Sequence, residues 1–318
     1  MSFLVAVQYY LGFNSGMDRA IEKTKNRLFM PLFTCLALII IAGCGMGEFG
    51  GSRSKVTSSN SPKGKLVITG SSTIAPLIAE IASRFEDQHP DVRIDVQTGG
   101  SSRGIRDAHS GVAHIGMSSR HLKASEKTGV ETQIIAWDGV AFVVHKDNPI
   151  QQLSLQQLNE IYTGKINDWS RVGGKQGKII VSNRANGRSE LDLVCNYLDL
   201  KSKQIQADVV DGETQQSLKT VITNRNAITY TSVGAAQDAV GRGEPIKLLP
   251  LNNVVASSDT VRSGEFPLAR PLVLIFKDSG SSSQQKLINL FLKFSQSASV
   301  EDATENLGFV PGQESVEK

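Results

Sequence analysis

Leu66-Val67-Ile68-Thr69-Gly70-Ser71-Ser72-Thr73-Ile74-Ala75-Pro76-Leu77 holds a short apolar run, a Gly-Ser-Ser-Thr break and the first turn of a helix pattern. Beyond it Ile74, Leu77, Ile78, Ile81 and Phe85 recur with 3.6-residue periodicity, so a strand, a polar turn and an amphipathic helix follow one another. The order repeats downstream. Val92, Ile94 and Val96 alternate as a strand and lead through Gly99-Gly100-Ser101-Ser102-Arg103 into a weaker helix pattern over 105–110. Ile179-Ile180-Val181 leads through Arg184 and Gly187-Arg188-Ser189 into a helix on Leu191, Val194, Cys195 and Leu198. Strands alternating with helices indicate an α/β fold with a largely parallel sheet.

The three polar runs have a shared chemistry. A helix start presents unpaired N–H groups and the positive end of the macrodipole, glycine lets backbone approach a ligand closely, and hydroxyls add neutral donors. One such run is an ordinary cap; three, spread over more than a hundred residues, suggest helix N-termini converging on a small anion. Arg103, Arg184 and Arg188 lie in or beside the runs, where a guanidinium can meet an oxyanion bidentately.

Working outward, further strand patterns fall at Ile134-Ile135, Val140 to Val144, Ile228-Thr229-Tyr230 and Leu272 to Phe276. Helix patterns fall on Leu155, Leu158 and Ile161, and on Leu287, Leu290, Phe291 and Phe294. A chain of 318 residues with 40% hydrophobic and 20% charged residues is long enough for two domains of usual size. The formal charge of +3 carries no polybasic footprint, which argues against a nucleic-acid partner.

The N-terminal segment has a different character. Arg19, Lys23, Lys25 and Arg27 precede the apolar run Leu28 to Ile41, which ends in Ile41-Ala42-Gly43-Cys44. That is the layout of a signal peptide over 1–43, with Met17 as an alternative start, and the run is short for a membrane span. Ile-Ala-Gly-Cys looks like a bacterial lipobox, with Cys44 as the lipid-carrying residue; a signal in which Cys44 is incidental is the competing reading. Residues 44–63, rich in Gly and Ser, read as a flexible tether. Cys195 then has no intramolecular partner and reads as a small buried hydrophobe.

Several motifs together resemble the phosphate-binding lipoproteins that serve phosphate ABC importers. Gly70 to Leu77 looks like the family's first phosphate loop and Thr98 to Ile105 like its second. Ile115-Gly116-Met117-Ser118-Ser119-Arg120, the stretch Ile161 to Trp169, and Phe266-Pro267-Leu268-Ala269-Arg270-Pro271-Leu272 are also family-like. The resemblance implies a type II periplasmic-binding-protein fold, two α/β lobes joined by two crossover strands with the anion between them. The crossovers would be Val140 to Lys146 and Pro271 to Lys277, with lobe 1 as 64–144 plus 269–318 and lobe 2 as 145–268.

It further implies that Ser71, Ser72, Thr73, Ser101, Ser102, Arg103, Ser118 and Arg120 face the ligand from lobe 1, and Arg184, Gly187, Arg188 and Ser189 from lobe 2. The expected ligand is inorganic phosphate and the expected partner a membrane ABC permease. The chain is then a lipid-anchored monomer facing the periplasm or cell exterior, with no cofactor, metal or catalytic residue. Two departures stand out. Many members have Asp where this chain has Arg120, and Gly-Ser-Gly-Thr where it has Gly187-Arg188-Ser189-Glu190. A carboxylate can accept the proton that phosphate keeps near neutral pH and repel sulfate, which has none. Arg120 cannot accept; Glu190 either supplies that acceptor or is a surface charge favouring the macrodipole.

Against an enzyme, there is no Gly-x-Ser-x-Gly elbow and no Walker A pattern, and His109, His114 and His121 lack metal-ligand spacing. A phosphate-ester hydrolase, or a sensor or surface protein of the same fold without a permease, remain the alternatives.

Overall fold

The computed structural model describes residues 61–278 and 282–312, so the signal segment, Cys44 and the tether as far as residue 60 lie outside the described residues. The chain runs β1 (Gly64–Gly70), α1 (Ala75–Gln88), β2 (Val92–Thr98), α2 (Ser101–Ser110), β3 (Ile115–Ser118) and the long β4 (Glu131–His145). It continues α3 (Leu155–Tyr162), β5 (Ile180–Arg184), α4 (Ser189–Tyr197), β6 (Val209–Asp211), α5 (Thr214–Thr223), β7 (Ala227–Ser232) and α6 (Val233–Gly241). Then come β8 (Ile246–Leu248), α7 (Ser258–Arg262), β9 (Ala269–Phe276), α8 (Ser283–Phe294), α9 (Glu301–Asn306) and β10 (Val310–Pro311).

The strands lie in the order β2-β1-β3-β9-β4-β7-β5-β6, with β8 and β10 also on β4. β1 is parallel to β2 and β3, and β5 is parallel to β6 and β7, as the strand–helix alternation requires. Antiparallel β9 and β4 join these two parallel groups. The helices bury the faces that the periodicity picks out. On α1 these are Leu77, Ile78, Ile81 and Phe85, with Phe85 edge-on to Phe291 and Phe294 of α8 at ring separations of 5.4 and 5.3 Å.

Two large apolar cores result, one under β1, β3 and α1 and one under the second half of β4, β7 and α3. β4 belongs to both. Glu131 to Gly139 pair with β9, Val140 to Val144 pair with β7, and Val140 N–H donates to the Leu268 carbonyl at 3.0 Å. The chain therefore passes between cores near Gly139–Val140 on β4 and between Ala269 and Leu272 on β9. Val140 to Val144 lie in the second core with Val143 in a small satellite beside it. An apolar run announces a buried strand but not the partner that pairs with it. The second helix also starts earlier than its apolar pattern. Ser101, Ser102 and Arg103 form its first turn, and the left-handed φ of +91° at Gly100 turns the chain into it. Among the described residues no helix is long and apolar enough to cross a membrane.

Close packing fixes α2 against the ends of β1 and β3. A Cβ on Gly104 would lie 2.5 Å from the Met117 carbonyl oxygen and 2.7 Å from that of Thr69. Gly104→Ala is expected to lower unfolding stability by about 1–3 kcal/mol, the usual penalty of overpacking, measured by chemical denaturation. An unchanged denaturation midpoint would show that the helix can move off the strands.

Candidate functional site

The polar turns after β1, β2 and β5 all leave the carboxyl ends of parallel strands, where ligands bind in open α/β sheets. How their helices start is informative. Ser154, Ser232, Ser257 and Ser282 cap α3, α6, α7 and α8 with their own hydroxyls. The helices α1, α2 and α4, behind the three Gly/Ser/Arg runs, have no side-chain cap bond, a property that α5 and α9 share, and the serines of the runs are used elsewhere.

They are used on one another and on an arginine. Ser119 Oγ lies 2.9 Å from Ser71 Oγ and 2.7 Å from Ser189 Oγ, and its backbone N–H donates to Ser101 Oγ at 3.1 Å. Arg270 donates through Nη1 to Ser189 at 3.1 Å and Ser119 at 3.3 Å, and through Nη2 to Thr73 at 3.2 Å. Nη2 also meets Asp138 Oδ2 at 2.9 Å and Glu190 Oε1 at 3.3 Å. Asp138 and Arg270 face each other in register on β4 and β9, at the point where both strands pass between cores. Asp138 also accepts from the Gly234 N–H at 3.2 Å.

Glu190 is only 2% exposed, so the surface-charge reading does not hold. Oε1 accepts the Thr73 hydroxyl at 2.8 Å, while Oε2 has a long contact, 3.4 Å, from Ser189. Burial by itself would raise its pKa, but Arg270 and then Arg184 outweigh that and hold it at about 2, against an ordinary 4.5. Burial pushes the Asp138 carboxyl up, with Arg270 opposing, and the two carboxylates outweigh burial to keep Arg270 charged.

Arg184, 1% exposed at the end of β5, is the unsatisfied member. Nη1 donates to the Glu213 carbonyl at 2.7 Å and to Ser217 Oγ. Nε and Nη2 are buried without a hydrogen-bond partner, and Nη2 stands 3.9 Å from Glu190 Oε1, beyond hydrogen-bond reach. Arg188 Nη1 is likewise buried and unpartnered, while its Nη2 holds Glu213 at 3.0 Å. Orphaned buried donors cost about 1–3 kcal/mol each, so a fully buried guanidinium with two of them is a site for an acceptor.

Of the residues expected from sequence, the structure brings together Ser71, Thr73, Ser101 and Ser189 around Arg270, with Arg184 alongside. Ser72 instead reaches Thr214 Oγ1 at 3.3 Å, and Ser102 donates its N–H to the Gly187 carbonyl at 3.2 Å. Three residues stand apart. Arg103 spends its guanidinium on Asp107, Thr98 and Gln97; Arg120 forms a fork with Glu126 at 2.7 and 2.9 Å; Ser118 Oγ donates to the Arg120 carbonyl. Arg270, Asp138 and Ser119 had no assigned role. A charged residue inside the apolar strands 134–144 and 268–276 was the available signal, since a buried charge in such a run needs a partner.

The chain belongs to the PBP superfamily, whose domain description matches residues 55–299. Particular relatives narrow this. It is 29% identical over 256 residues to the phosphate-binding protein PstS of Bacillus subtilis (strain 168), covering 77% of this chain and 81% of that one. A Clostridium perfringens structure described as a phosphate ABC transporter substrate-binding protein, with bound phosphate, superposes with a TM-score of 0.71 at 29% identity, over 78% of this chain and 99% of that one. An ABC-type phosphate transport receptor from Vibrio cholerae gives 0.61 at 26%, over 78% and 99%.

Because the folded pKa of Glu190 lies below its ordinary value, its ionised form stabilises the fold fully above about pH 4.5, and that contribution is lost as pH falls toward about 2. Between those limits the thermal midpoint of the wild type is expected to fall more steeply than that of Glu190→Gln. Parallel curves would mean that the carboxylate is not held by the arginines.

Proposed function

We propose that the protein is an extracytoplasmic solute-binding lipoprotein that captures inorganic phosphate between its two lobes and delivers it to an ABC permease. The single observation that carries this reading is Arg184, fully buried with two N–H groups unpartnered. Phosphate oxygens would take those donors, with hydroxyls and backbone N–H groups at the starts of α1, α2 and α4 around them. The relatives named above support phosphate as the anion and transport as the context.

The two lobes, divided near Gly139–Val140 and between Ala269 and Leu272, would hinge at the Asp138–Arg270 pair. Donors on both sides meet only when the cleft is shut, so the ligand favours closure. Binding and release without covalent chemistry fit the serines, which are bonded to one another and to Arg270 rather than held by a base. Lipidation of Cys44 and location at the cell envelope rest on the sequence patterns, and monomeric state on the family resemblance.

Selectivity would come from Glu190. Ionised at neutral pH and with Oε2 only lightly engaged, it can accept phosphate's proton and repel sulfate. Arg184→Lys, which keeps the charge and loses the fork, is expected to weaken phosphate binding about tenfold or more, since charged hydrogen bonds contribute about 1.5–3 kcal/mol. Glu190→Gln should admit sulfate as a competitor that the wild type excludes. Isothermal titration with both anions checks both. Wild-type affinity in Arg184→Lys would remove the phosphate seat from this position.

A further inference from the structure

We infer that the cleft beside the anion seat accepts the organic group of a small phosphonate, so that the ligand class extends from inorganic phosphate to phosphorus anions carrying a short apolar substituent on phosphorus. This rests on the anion reading above. The cleft has a volume of about 550 Å³ and is lined by Ser72, Thr73, Ala79, Val96, Leu307 and Phe309. That is many times the roughly 30 Å³ that a water occupies in the liquid, and inside the roughly 300–1,000 Å³ range of small-molecule sites. Arg184 is not among its lining residues, so an oxyanion held there leaves this space open.

The cavity persists although the two sides of the cleft already touch. Thr73 bonds Glu190, Ser119 bonds Ser189, Ser102 bonds Gly187 and Ser72 bonds Thr214, all across it. A substituent could therefore be held without preventing closure. Thr73 connects the two regions, because its hydroxyl lies in the Arg270–Glu190 network and its side chain lines the cavity. The walls suit an uncharged group. Glu213 and Asp238, the acids at the cavity, are engaged by Arg188 and Arg242 respectively, and the remaining surface is mainly that of α1, Val96 and Phe309.

Glu190 selects among organic phosphorus anions. Its carboxylate needs a P–OH to accept from. An alkylphosphonate keeps that proton near neutral pH as phosphate does, whereas a phosphate monoester, with a second pKa of about 6, has lost it.

The test is isothermal titration of the purified protein slightly above neutral pH with inorganic phosphate, propylphosphonate and propyl phosphate, in the wild type and in Ala79→Phe. Ala79 is on the exposed face of α1, outside the phosphate seat, so the bulkier ring narrows the cavity without entering the core. Propylphosphonate should compete with phosphate within about tenfold of its affinity, propyl phosphate should bind about tenfold more weakly than the phosphonate, and Ala79→Phe should cost the phosphonate about tenfold and phosphate less than about twofold. If phosphate titrates and propylphosphonate does not compete, the inference is wrong while the phosphate reading stands. Equal losses for both ligands in Ala79→Phe, or equal affinity for phosphonate and ester, would also overturn it. Failure of all three ligands to bind would overturn the phosphate reading itself, and this inference with it.

Discussion

A guanidinium buried between two carboxylates organises this molecule. Arg270 sits where the two crossover strands pass from one apolar core to the other, opposite Asp138 and within 3.3 Å of Glu190. Removing water from a charge costs several kcal/mol, so such a residue is tolerated only when its donors are fully engaged. The engagement of Arg270 reaches both lobes: Thr73 and Ser119 from one, Ser189 and Glu190 from the other. A residue where β4 and β9 pass between cores thus ties together loops from both of them.

Arg184 shows the opposite balance. One nitrogen is tied to the backbone of Glu213 and to Ser217, which fixes the plane of the guanidinium, while the others have no partner in a buried setting. Arg270 is neutralised by two carboxylates; Arg184 approaches one of them only to 3.9 Å. Of the two arginines, Arg184 therefore has the greater need of an external acceptor.

Much of this was legible in the sequence, for reasons tied to particular residues. The face of α1 is read from Leu77, Ile78, Ile81 and Phe85 because burial repeats with the helix period. The loops after β1 and β5 are read from the Gly and Ser residues that stand directly before a helix pattern. Arginines are harder. Arg103 and Arg120 resemble Arg184 in a sequence, yet Asp107 and Glu126 hydrogen-bond the first two, and no local pattern records that no carboxylate comes within hydrogen-bond reach of Arg184. Ser118 ends β3 and Ser119 is the residue after it; the first hydroxyl bonds the turn's own Arg120 carbonyl and the second reaches Ser189. That Arg270 pairs with Asp138 was hidden because cross-strand register is a long-range property.

The most direct measurement is the side-chain ¹⁵N–¹H spectrum of arginine-labelled protein during a phosphate titration. The Arg184 Nε–H resonance, assigned by its loss in Arg184→Lys, should move strongly as its orphaned donor acquires an oxyanion, while Arg270 Nε–H, already bonded to Asp138 at 3.3 Å, should move little. An Arg184 resonance that stays in place at saturating phosphate would contradict the account.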